Sequence, residues 1–103
     1  MTILDLKKDI GDGNDRQSTV LFTGPRRKII QITLRNNGVL AAHQAAEPIT
    51  IQCVAGAGTL SVGQEKQRVA LTPGSLVTIE ADTVHEIHAE PAVSILLSKF
   101  TEK

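Results

Sequence analysis

Tyrosine and tryptophan are absent, and Phe22 and Phe100 are the only aromatic residues. The stacking surface that serves single-stranded bases, and most sugar rings, is therefore missing. Any mechanism that needs a phenol as acid, base or radical is excluded with it. There is no excess of either charge: 11 Lys and Arg stand against 11 Asp and Glu, a formal net charge of zero. Such a chain has no basic surplus with which to displace counterions from a nucleic acid. Its one cysteine, Cys53, can close no intramolecular disulfide and so gives no sign of secretion. No run approaches the roughly 18 apolar residues of a membrane span. The opening Met1-Thr-Ile-Leu-Asp-Leu-Lys-Lys-Asp9 lacks the unbroken apolar core of a signal peptide. The expectation is a cytoplasmic protein with neither a nucleic-acid nor a membrane partner.

What is present is the composition of an ordered domain. Hydrophobic residues make up 41% and charged residues 21% of 103 positions, which suits one globular unit and leaves no length for a second. The dominant period is two. Ile30, Ile32 and Leu34 fall on one side of a run whose other side carries Gln31, Thr33 and Arg35. Runs over 18–22, 49–54, 59–62, 68–71, 76–79, 85–89 and 93–97 read as further strands. The breaks between them carry turn residues: Gly24-Pro25, Asn36-Asn37-Gly38, Gly56-Ala57-Gly58, Gly63-Gln64-Glu65-Lys66, Pro73-Gly74 and Glu90-Pro91. Residues 59–71 read as a hairpin. Ile3-Leu4-Asp5-Leu6 reads as a short N-terminal strand before the Gly11-to-Asp15 turn. Arg26-Arg27-Lys28 reads as a solvated loop. Eight to ten short strands and no amphipathic helix predict an all-β sandwich or barrel. Val93 to Leu97 is apolar on both faces and needs cover on both, from this chain or from another subunit.

Chemistry-bearing side chains are few. His43, His85 and His88 all lie in this β region, the first two at strand ends beside turns. Their setting resembles the cupin superfamily. The first cupin motif runs Gly, spacer, His-x-His, Glu, Gly. Here four residues separate Gly38 from His43, Ala45 takes the second His position, Ile49 takes the Glu position, and Gly56 follows in phase. The second motif runs Gly, Pro-x-Gly, His, Asn. Here Gly74 and His85 match, while Glu80, Asp82 and Ala89 replace the others. The resemblance spans about 29–97. It implies a single-domain double-stranded β-helix, the RmlC-like jelly-roll barrel, over 1–103, with 1–22 as an N-terminal strand segment.

The resemblance also implies where a site would be. Cupin metal centres take three His and one Glu around a divalent first-row ion. Of those four positions only His43 and His85 keep a ligand, which leaves a degenerate site with at most a weakly held Zn, Ni, Mn or Fe. Glu47 is a candidate substitute, though it precedes Pro48 in a turn. Strand parity aims His43, Ala45, Ile49, Ile51, Cys53, His85 and Ile87 inward, an apolar pocket with two imidazoles near its mouth. Cys53 reads as a small buried hydrophobe, since four residues of strand, about 13 Å, separate it from the Glu position. His88, three residues beyond His85, turns to the opposite face. Both pocket histidines are expected to titrate low, through burial and mutual repulsion.

Three functions fit. The first is a small-molecule-binding module. The second is a metal-dependent enzyme, an oxygenase or an isomerase of a small organic acid or carbonyl compound. The third is a structural module. A His–Tyr sugar-epimerase mechanism is ruled out by the missing tyrosine. A homodimer is expected in every case, because the second apolar face of 93–97 must meet something.

Overall fold

The computed structural model describes residues 1–101, and all of its regular structure is strand. Seven strands run β1 (Arg16–Gly24), β2 (Arg27–Leu34), β3 (Val39–His43), β4 (Ile49–Val62), β5 (Gln67–Leu71), β6 (Leu76–Ile79) and β7 (His85–Phe100). All pairings are antiparallel, in the order β1-β2-β7-β4-β5, with β3 on β7 and β6 on β4.

The two long strands build the barrel. β4 and β7 pair from Ile49–Lys99 to Val62–His85 and each serves two leaves. The Ile49 end of β4 and the Lys99 end of β7 carry β6, β2 and β1. Their other ends carry β5 and β3. The bend between leaves falls where the register shifts, between Cys53 and Ala55 and between Gly56 and Gly58. Gly56 has φ +79°, and a Cβ there would run into the Ala92 carbonyl, so only glycine fits this close crossing.

The expected breaks at Gly56-Ala57-Gly58 and Glu90-Pro91-Ala92 are therefore bends inside continuous strands. That is why there are seven strands, two of them long, in place of eight to ten short ones. Other turns lie as the residues suggest. Asn36 and Asn37 both take positive φ between β2 and β3, a conformation asparagine tolerates. The 59–71 region is the β4–β5 hairpin.

The core follows the period of two. Ile32 and Leu34 of β2, Ile49, Ile51, Cys53 and Leu60 of β4, and Ile87, Val93, Ile95 and Leu97 of β7 form one buried cluster from both leaves. Burying one such aliphatic side chain stabilises the fold by about 1.5–3 kcal/mol.

Residues 1–15 form no strand, contrary to the reading of Ile3–Leu6 as one. They are held instead by Gln31 on the outward face of β2 and by Arg35 just beyond its end. Gln31 exchanges bonds with the Lys7 backbone at 2.8 and 3.2 Å and also donates to Ser94 Oγ at 3.0 Å. Arg35 donates to the carbonyls of Ile10, Gly11 and Asn14 and to Gln17 Oε1, at 2.7–3.1 Å. Leu4 and Ile29 line a common small cleft. The chain's own N-terminal segment thus lies against the outer face of β2 and β7. Arg27 and Lys28 belong to β2 rather than to a loop.

Candidate functional site

β3 ends at His43 and β7 begins at His85, and these two residues are register partners across the β3–β7 pair. Their ring centroids are 4.3 Å apart with planes at 60°. Each Nδ1 faces a backbone carbonyl two residues upstream, Ala41 O at 2.9 Å for His43 and Thr83 O at 3.1 Å for His85. A carbonyl only accepts, so both Nδ1 atoms carry the proton and both Nε2 atoms offer a lone pair. His85 is only 2% exposed, and its Nε2 is buried with no hydrogen-bond partner. Burial lowers the His85 pKa below the usual imidazole value. The bond to Thr83 opposes this and the neighbouring His43 adds to it.

The two rings lie on a cleft of about 230 Å³. Ile30, Ile32, Leu40, Ala45, Ile49 and Leu97 supply apolar lining, and Arg16, Ser18, Gln44 and Lys99 supply polar groups. Four of the seven residues that parity aims inward, His43, Ala45, Ile49 and His85, line this cleft. Ile51, Cys53 and Ile87 are buried in the packed core and are not part of the cleft lining. Burial raises the Cys53 thiol pKa, and its Sγ lies 3.6 Å from Ala55 O. His88 sits on the outer face, its Nε2 2.9 Å from Glu86 Oε2, and that bond holds the Glu86 pKa down.

A resident metal is the cofactor such a fold implies, and the donor set does not fit it. Ala45 and Ile49, where the motif resemblance would place the two further ligands, bring only carbon to the cleft. Among the described residues no three His, Cys, Asp or Glu side chains come together, and Glu47 is not part of the cleft lining. Two imidazoles are half of the four protein ligands.

Arg16, Ser18, Gln44 and Lys99 were not singled out by sequence reasoning. Lys99 carried a usable signal, since it continues the inward series Val93, Ile95, Leu97. Arg16 reaches the cleft because it pairs with Leu34, a partner no local pattern names.

No protein-family profile matches this sequence, and no curated protein matches it significantly. The fold nevertheless has many solved counterparts. A cupin superfamily protein from Desulfitobacterium hafniense superposes with a TM-score of 0.79 at 14% identity, over 87% of this chain and 81% of its own. An RmlC-like cupin with a double-stranded β-helix from Methanocaldococcus jannaschii gives 0.79 at 13% identity, over 99% and 92%. Salicylate 1,2-dioxygenase from Pseudoaminobacter salicylatoxidans, a variant in complex with gentisate, gives 0.75 at 15% identity, over 82% of this chain and 25% of that one. The fold is the double-stranded β-helix of the small RmlC-like cupins.

Proposed function

We propose that this protein binds a small molecule in the cleft beside His43 and His85, and that it does so without a resident metal. The observation that carries this reading is the buried, unpartnered Nε2 of His85 at a cleft whose lining is half aliphatic and half polar side chains. A few convergent polar groups in an apolar concavity are the usual make-up of a ligand site. Elemental analysis after dialysis should find metal well below one equivalent per chain. A full equivalent of zinc, nickel, manganese or iron surviving a chelator would overturn the metal-free reading.

The second reading is a metal-dependent enzyme, an oxygenase or isomerase acting on a small organic acid or carbonyl compound. One observation favours it: two adjacent imidazoles with both Nδ1 protons committed to backbone carbonyls have both Nε2 atoms free to ligate or to take a proton. Metal that enters only together with an organic ligand, followed by turnover, would distinguish it.

The same reading includes a cytoplasmic homodimer. It is supported by a free edge on β1, which pairs only with β2 among the described strands, and by exposed Val20, Val39 and Leu76.

A further inference from the structure

Arg16 and Lys99 both line the cleft, and none of the residues lining it is a carboxylate. Neither cation forms an ion pair with any described carboxylate, since the ion pair among the described residues is His88–Glu86. Lys99 is half-buried and follows Leu97 on the inward side of β7, where another aliphatic residue would extend the core. Its register partner on β2 is Lys28, a second half-buried cation. Like charges directly opposite one another weaken a strand pair. A bound anion would relieve that repulsion and pair with the exposed Arg16 guanidinium, whose planar fork matches a carboxylate.

The imidazoles set the other requirement. His85 Nδ1 donates to Thr83 O, so its unpartnered Nε2 can only accept. The missing partner must therefore bring a hydrogen. The aliphatic part of the same lining is Ile30, Ile32, Leu40, Ala45, Ile49 and Leu97. The cleft's 230 Å³ leaves room for a short carbon chain.

We propose that the ligand is a small hydroxycarboxylate. Its carboxylate sits with Arg16 and Lys99, its hydroxyl donates to Nε2 of His85, and its carbon body lies against the aliphatic lining. This rests on the reading of the cleft as a binding site and adds the class of molecule.

The test uses the intact protein and three matched probe series: the ω-hydroxy acids from hydroxypropanoate to hydroxyhexanoate, the parent acids without the hydroxyl, and the corresponding diols without the charge. Affinity is read by calorimetry and the imidazole nitrogens by NMR. At least one hydroxy acid should bind about tenfold or more tightly than both its parent acid and its diol, and should shift the His85 Nε2 resonance. Arg16→Gln and Lys99→Gln should each weaken that acid about tenfold and leave the diol unchanged. Diols that bind as well as acids, or unaltered acid binding in both variants, would overturn the carboxylate assignment while the cleft stood as a binding site. Acid binding with no response at His85 Nε2 would overturn the hydroxyl contact. If no probe moved either histidine at millimolar concentration, a metal-free small-molecule site would fall as well.

Discussion

Replacing His85 with leucine asks whether the buried imidazole is retained for binding or for stability. The wild-type ring leaves Nε2 buried and unpaired, which costs about 1–3 kcal/mol. It recovers about 1 kcal/mol through the Nδ1 bond to Thr83 O. Leucine removes both contributions and supplies an aliphatic side chain on the same cleft as Leu40 and Ile49. His85→Leu should therefore match the wild type or exceed it by up to about 2 kcal/mol at neutral pH. The difference should grow in acid. Burial, helped by His43, holds the folded pKa of His85 below its ordinary 6.5 despite the Thr83 bond. Between that lowered value and 6.5 the unfolded chain binds more protons than the folded one. Wild-type stability contributed by this group is thus complete above 6.5 and is lost as pH falls through the folded pKa, at no more than about 1.4 kcal/mol per pH unit. Below the folded pKa it levels off. The variant should lack this component and should also lose ligand binding. With no tryptophan or tyrosine to report, urea unfolding is best followed by far-UV circular dichroism from about pH 8 to about pH 5. A variant less stable than wild type by more than about 1 kcal/mol at neutral pH would show that the imidazole is structural. Identical pH slopes in the two proteins would refute the buried, neutral ring.

Gly56→Ala should cost at least about 3 kcal/mol, seen as a large fall in the urea midpoint, because it combines positive φ with a Cβ driven into the Ala92 carbonyl. Gly63→Ala has positive φ but open space around the new Cβ, so its loss should be nearer 1 kcal/mol. Arg35→Met should remove three hydrogen bonds to the N-terminal segment and one to Gln17 of β1 and cost about 2–4 kcal/mol, with trypsin cleavage at Lys7 and Lys8 becoming much faster; unchanged cleavage would mean that the segment is held elsewhere. The proposed homodimer should scatter light as about twice the 11.0 kDa chain, and a monomer at high concentration would dispose of it.

Local chemistry wrote much of this protein openly. Alternation through Ile30, Ile32 and Leu34 marked β2 and its buried face, because a pleated strand sends successive side chains to opposite sides. Asn36 and Asn37 marked the turn into β3, because their side chains tolerate positive φ. The motif resemblance put His43 and His85 at one site, and the pleat turned His88 to the other face from His85. Where a residue has two uses, the local signal was ambiguous. Gly56 and Pro91 are common in turns and equally suited to a bend within a strand. Only the antiparallel partner, which carries β4 and β7 past both points, decided between them.

The cleft divides along the same line. The cupin resemblance implied the pairing of His43 with His85 and the replacement of two ligand positions by Ala45 and Ile49, while the residues alone determined an all-strand domain and the inward faces of its strands. The latter two follow from side-chain type and a period of two, which need no knowledge of distant segments. Tertiary structure decided what surrounds the pair. Arg16 comes from β1 and Lys99 from the far end of β7, while on the opposite, outer face the N-terminal segment covers Gln31 and Ser94. Each is set by hydrogen bonds between segments far apart in the chain, and no local pattern of residues encodes which strand will lie beside which.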